Sequence, residues 1–286
     1  MRSRTTEGGT TGGRLADKAA RLVAWMVSLA SLAVLLLIIG QIVIRGVPGF
    51  ELSFLTTAPR GIRMEGGVFP MIVASFYLTV LSLLVVGPIG VGAAVYLAEF
   101  AGDNRLTRAV RFAADTLAGV PSIVFGLFGL AFFVYALGMG YSMLSGALTL
   151  SIMALPTMLR VSEEAIRAVP DSYREGSLGL GATRWHTVLR VVLPSALPGI
   201  GTAAILATGR VFGETAAVLY TAGQMPGVPQ MPLDGGRTLT VHLWLLATTG
   251  KLEQSYPVAV VLLVVILSFN LGATWLMNRF RRRFVA

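Results

Sequence analysis

Residues 163–200, EEAIRAVPDSYREGSLGLGATRWHTVLRVVLPSALPGI, decide the fold because they lie between two long apolar runs and are too charged to cross a bilayer. They must fold outside the hydrocarbon. Pro170 ends the helix before it. Ser172 and Glu175 stand at capping-box spacing, which predicts that Ser172 covers the amide three residues on while Glu175 reaches back. Gly179 and Gly181 stop the helix that follows, and Thr183 can start another. Trp185, Val188, Leu189 and Val192 recur at helical spacing as an apolar stripe. The expected unit is two short helices and an elbow. An amphipathic connector lying on a membrane surface would have the same composition.

Working outward, the rest of the chain is a membrane protein by composition. Of its 286 residues 55% are hydrophobic and only 13% charged, too apolar for a soluble domain of that length. There is no cysteine, which excludes disulfides, thiolate metal sites and cysteine nucleophiles. His186 and His242 alone leave little for an imidazole site, and no metal site is expected.

Six apolar runs, about 22–44, 68–98, 112–137, 142–161, 191–219 and 257–277, are each near or above the roughly 20 residues that a spanning helix needs. An even number puts both ends on one side. Seventeen Lys and Arg residues precede the first run, separate the second from the third, lie in or beside 163–190, or end the chain. Five fall on the other side: Arg45, Arg60, Arg63, Arg237 and Lys251. Positive-inside bias therefore predicts a cytoplasmic central loop and cytoplasmic termini. The net charge of +9 is topological and does not point to nucleic acid.

Along the chain, residues 1–13 read as a disordered tail. The first run is too long for a signal-peptide core and no A-x-A site follows, so it should remain as a helix. Gly87-Pro88, Gly90 and Gly92 predict a kink or a close helix contact, and the third run, with Pro121 and its glycines, looks built for tight packing. Gly138-Met139-Gly140-Tyr141 predicts an antiparallel hairpin between the third and fourth runs. In the outer segment 220–256, TLTVHLWLLATTGK predicts a short helix that does not span. No G-x-x-x-x-G-K-[ST] occurs, since Leu245 stands where the first glycine before Gly250-Lys251 should be. Hydrolysis of ATP by that route is excluded.

Arg210 is the one basic residue well inside a spanning run, and Glu214 follows four residues later. On a continuous helix the two share a face. A buried charge is expensive, so the pair should face protein or water. One reading is a structural ion pair that sets helix rotation. The other is that Arg210 lines a path for an anion, its planar fork matching phosphate or carboxylate, with Glu214 orienting it.

Glu175-Gly176-Ser177, three residues, Gly181, nine residues, then Val191-x-Leu193-Pro194 resembles the EAA loop of ABC importer permeases. That family's pattern is Glu-Ala-Ala, three, Gly, nine, Ile-x-Leu-Pro. Together with LAGVPSIVFGLFGL and GRVFGET, the chain is similar over about 68–277 to the permease subunits of the phosphate-specific ABC importer. One departure is Ala217, where the family tends to have proline. The resemblance implies an all-α polytopic protein of six transmembrane helices with the type I, MetI-like permease fold. It implies ATPase coupling through Glu175, Gly176, Ser177, Gly181, Leu193 and Pro194, and a substrate path at Arg210 and Glu214. The implied partners are a homologous second permease, a dimeric ATP-binding subunit, an extracytoplasmic phosphate-binding protein and membrane lipid. ATP and Mg would belong to the ATPase; no cofactor and no enzymatic activity are expected of this chain. The expected divisions are a cytoplasmic tail at 1–21, a first helix at 22–44, a permease domain at 68–277 containing the coupling loop 163–194, and a basic tail at 278–286. The location implied is a bacterial inner membrane. Two alternatives remain: a type I permease for phosphonate, sulfate or molybdate, and an ion-driven secondary transporter or channel. The latter would usually show internal repeats and ionisable relays.

Overall fold

The computed structural model describes residues 11–60, 65–102 and 104–284. The described residues form twelve α-helices. α1 (Thr11–Gly46) leads through a single 3-10 turn to α2 (Leu52–Thr56). Two antiparallel two-residue strands, β1 (Pro59–Arg60) and β2 (Glu65–Gly66), precede α3 (Phe69–Val95), whose last turn, Tyr96–Phe100, is π-helical. Then come α4 (Arg105–Ala118), α5 (Ser122–Gly129) extended by a π segment to Ala136, and α6 (Met143–Arg167). α7 (Asp171–Gly179) and α8 (Arg184–Thr187) form the elbow. α8 runs on through a π turn into α9 (Leu193–Phe212). α10 (Ala216–Thr221), α11 (Leu239–Thr248) and α12 (Leu252–Phe284) complete the chain.

Among the described residues five helices are long and apolar enough to cross a membrane, and α4 with α5 makes a sixth only if a pair bent by 101° counts as one span. The third apolar run is therefore not one straight helix. Gly119 closes α4, and Pro121, which lacks an N–H and pushes Val120 out of the helical region, opens α5 at φ −59°, ψ 140°. The fifth run also breaks, at Gly213-Glu214-Thr215. At the start of the chain the helix extends further than expected, from Thr11, while residues 1–10 lie outside the described ones.

The core is the contact of α3, α6 and α9, where small residues let backbones approach. Ala74, Leu78 and Val86 of α3 meet Ala147, Leu150, Ala154 and Met158 of α6, and Ala196, Ala203 and Ala207 of α9 close the third side. Gly90 is the close approach: a Cβ there would lie 2.7 Å from Met158 Cγ. Gly87 and Gly92 face open space, and α3 passes through Pro88 without interruption. Gly126 and Gly129 of α5 press on Ala217, Thr149 and Thr221, which is the tight packing expected of that run. Ser151 donates to the Ser82 carbonyl at 3.1 Å across the α3–α6 contact. The glycine hairpin forms, with Gly138 and Gly140 at φ +66° and +65°.

Candidate functional site: a clamped elbow and a broken helix

The elbow is set by backbone chemistry and then tied down by arginines. Pro170, at φ −57° and ψ 139°, precedes α7, and its carbonyl accepts the amide of Tyr173 at 3.1 Å. The helix thus starts at Asp171, one residue before Ser172 could act as a cap, and the expected Ser172–Glu175 capping box does not form. The proline has already fixed the entry dihedral. The C-terminus is a Schellman closure: Gly181 N–H donates to Leu178 O at 2.9 Å and Ala182 N–H to Ser177 O at 3.2 Å. Gly181 sits at φ +84°, where a side chain is strained. Thr183 caps α8 through the His186 amide, as expected, and Ser177 Oγ and Thr187 Oγ1 join the two helices at 2.9 Å.

Arg174 holds the elbow against the end of α3. It makes paired bonds to the Glu99 carboxylate, 2.7 Å from Nη2 and 3.0 Å from Nε to Oε1, and donates also to Val169 O and Ile166 O. The Glu99 carboxylate raises the Arg174 pKa above its ordinary value. Arg184 donates to the Glu99 carbonyl and lies over the Phe100 ring, which Trp185 also approaches at 5.9 Å. Beside this clamp, buried Glu163 takes Arg111 at 2.8 Å and Arg167 at 3.0 Å on the same Oε1, and both guanidiniums reach the Leu97 carbonyl. Arg160 pairs with Asp115. These charges bring α3, α4, α6 and α7 together at one end of the bundle, here termed the basic end.

Of the predicted coupling residues, Glu175, Gly176 and Gly181 are exposed, Ser177 is half-buried, and Leu193 and Pro194 lie half-buried in α9. The apolar stripe divides: Val188 and Val192 are buried, while Trp185 and Leu189 are exposed. Leu180 is 91% exposed at the tip of the elbow, with Tyr173 and Leu178 near it in sequence and also exposed. Sequence reasoning missed Glu99 and Glu163. The one available signal was that each is an acid at the margin of an apolar run.

Arg210 and Glu214 are not placed as expected. Arg210 is half-buried in the last turn of α9, where a cation suits the helix dipole. Glu214 lies two residues beyond the end of α9, so the two do not share a helix face. Glu214 Oε1 instead accepts the Ala217 amide at 3.2 Å at the start of α10, and its carbonyl accepts from Thr240 Oγ1 at 2.8 Å. A proline at 217 would have no N–H to give. Among the described residues Arg210 makes no ion pair or hydrogen bond.

The far end of the bundle is also tied. Buried Arg237 donates to the Gln224 carbonyl at 2.7 and 2.9 Å and approaches His242 Nδ1 at 3.3 Å. Burial, then the charges of Arg237 and Lys251, lowers the His242 pKa to about 4. α11, the short helix expected in this segment, is capped by Thr238 and bonded to α3 from Leu239 N to Ser75 Oγ. Two open depressions lie here, of about 410 and 660 Å³, and neither includes Arg210 or Glu214 in its lining.

The fold is that of a multi-span membrane protein with an exposed, arginine-clamped elbow at one end. Residues 87–285 match the family described as "Binding-protein-dependent transport system inner membrane component", and the chain belongs to that family: it is a multi-pass permease subunit of an ABC importer. It is 40% identical over 280 residues to the "Probable ABC transporter permease protein YqgI" of Bacillus subtilis, covering 92% of this chain and 95% of that one. It is 34% identical to the "Phosphate transport system permease protein PstA 1" of Mycobacterium tuberculosis, covering 81% of this chain and 76% of that one. Two solved importers share the fold. A bacterial transporter importing alginate matches at TM-score 0.64 and 16% identity, over 93% of this chain and 99% of that one. The MetNI methionine transporter matches at 0.61 and 20%, over 75% and 94%. These likenesses establish the type I, MetI-like architecture that the sequence implied.

Proposed function

We propose that this chain is a permease subunit of an ATP-driven phosphate importer, similar in role to the phosphate permeases it resembles. The observation that carries this reading is Arg210: a guanidinium inside a spanning helix, with no protein partner among the described residues, while the nearby carboxylate is engaged elsewhere. A fork left open in that position suits an oxyanion. The relatives named for phosphate transport support the same anion. Arg210 and Glu214 would then flank the path, with Glu214 setting the break in the helix.

Coupling would run through Glu175, Gly176, Ser177 and Gly181, with Leu193 and Pro194 in the helix that carries the motion inward. The partners would be a homologous second permease, a dimeric ATPase that holds ATP and Mg, and an extracytoplasmic phosphate-binding protein. This chain would bind no cofactor or metal and would perform no hydrolysis. The arginine count favours a cytoplasmic basic end, with both termini there, in a bacterial inner membrane. The domain divisions would be tails at 1–21 and 278–286, a first helix at 22–44, and a permease body at 68–277 containing the loop 163–194.

A second reading is a type I permease for another oxyanion, since YqgI and the similar YqgH carry no substrate in their names. The two part in one experiment: the importer is reconstituted with its binding protein, and ATPase activity is measured with phosphate, sulfate, molybdate or a phosphonate. Stimulation by phosphate alone supports the proposal. Stimulation by another of these anions, with none by phosphate, replaces it with the second reading.

A further inference from the structure

The break at Gly119-Val120-Pro121 leaves α4 without a role in spanning. Fourteen residues rise only about 21 Å, short of the ~30 Å hydrocarbon, and the helix axis turns 101° from that of α5. Its place is fixed by two ion pairs to the basic end of α6, Arg111 to Glu163 and Asp115 to Arg160. Thr107 and Ala114 are buried on the same face as Arg111.

Around the helix, at about 100° per residue, two flanks follow on either side of that buried face. One carries Leu106, Val110 and Ala113, all exposed, with Leu106 68% and Val110 39% open. The other carries Arg105, Arg108 and Phe112, all exposed, and Asp115. One flank is wholly apolar. Arg105 opens the first turn, where the positive end of the helix dipole makes a cation unfavourable, and among the described residues it has no anionic partner. A helix divided in this way, held crosswise at the end of a membrane bundle, suits the boundary between headgroups and acyl chains.

We propose that α4 is a membrane-surface helix: its Leu106–Val110–Ala113 flank enters the lipid leaflet at the basic end, and Arg105 meets the phosphate of anionic phospholipid. The charge complementarity is specific. Asn104 Oδ1 already accepts the Thr107 amide at this helix end, so the headgroup phosphate would be needed by the Arg105 guanidinium, which has no anionic partner among the described residues. α4 would then anchor the ion-paired base of the elbow to the bilayer surface.

Because the chain has no cysteine, nitroxide labels can be placed one at a time. Leu106→Cys, Val110→Cys, Ala113→Cys and Phe112→Cys are each exposed positions that should leave the fold intact. The chain is returned to phosphatidylcholine vesicles with or without phosphatidylglycerol, and collision with dissolved oxygen is compared with collision with an aqueous nickel chelate. The proposal expects oxygen to exceed nickel several-fold at 106, 110 and 113, and the reverse at 112. It also expects the label at 110 to sit deeper when phosphatidylglycerol is present, and Arg105→Gln to abolish that difference. High nickel accessibility at 110 would put the flank in water and overturn the proposal. Low accessibility to both reagents would put it against protein, such as a second permease, and overturn it equally. Equal depth in the two lipid mixtures would remove the role given to Arg105.

Discussion

The elbow and the α9–α10 break are both built on charged residues from the same chain, yet their physical states are opposite. At the elbow three acids, Glu99, Glu163 and Asp115, are matched by Arg174, Arg111, Arg167 and Arg160, so the turn is held from several helices. At the break, the Glu214 carboxylate accepts one backbone amide, and among the described residues Arg210 has neither an ion pair nor a hydrogen bond. On the proposed function, the region that transmits force has its acids paired with arginines, and the region that admits an anion keeps a cation open. Buried ion pairs cost desolvation and stabilise little in total, but breaking one leaves a stranded charge. The contrast can therefore be broken from either side.

The largest expected effect is at the elbow. Glu99→Gln removes the buried carboxylate from Arg174, leaving it only the exposed Asp171 at 3.1 Å, and should cost roughly 3 kcal/mol, read as a lowered unfolding midpoint of the purified protein together with lost transport. An unchanged midpoint would show that the clamp does not hold the turn.

Next comes acidity at the far end. His242 has a folded pKa of about 4, below its ordinary 6.5, so its neutral form contributes stability that is complete above about pH 6.5 and is lost as pH falls toward 4. Between pH 7 and pH 5 the loss should be about 2 kcal/mol. Amide exchange in α11 should accelerate over that range, and His242→Gln should flatten the dependence. The groups setting the shift besides burial are Arg237 and Lys251.

Gly181→Trp separates stability from coupling. Nothing lies within 4 Å of a Cβ there, so the fold should lose only the positive-φ strain, about 1–2 kcal/mol. Association with the ATPase and transport should both fall sharply while membrane insertion is normal. Wild-type behaviour would leave the elbow as a surface connector.

The smallest effect is at Glu214→Gln. The amide oxygen can still accept from Ala217 N, so the change in stability should stay below about 1 kcal/mol by the same thermal measurement.

The elbow was legible because its signals are local: Gly181 and Thr183 act within one or two turns. Its fastening was not, since Glu99 lies 75 residues before Arg174, and spacing says nothing about such pairs. The capping box misled because Pro170 starts the helix before Ser172 can. The apolar runs located the membrane-length helices, but apolarity does not report a bend, and the third run divides into two short helices turned by 101°. Gly119-Val120-Pro121 carried a legible break signal that was read only as packing. The break at 213–215 carried a weaker one, and it is Thr240, from a distant segment, that secures it. That break removed the shared face assumed for Arg210 and Glu214.

The most direct test is phosphate uptake by the assembled importer carrying Arg210→Gln and Glu214→Gln together, with Arg210→Lys beside it. If Arg210 meets the anion, the double variant takes up no phosphate although assembly and phosphate binding by the external protein are unchanged. Arg210→Lys, keeping charge without the fork, then retains only part of the rate. Uptake near the wild-type rate in the double variant would contradict the account and remove Arg210 from the anion path.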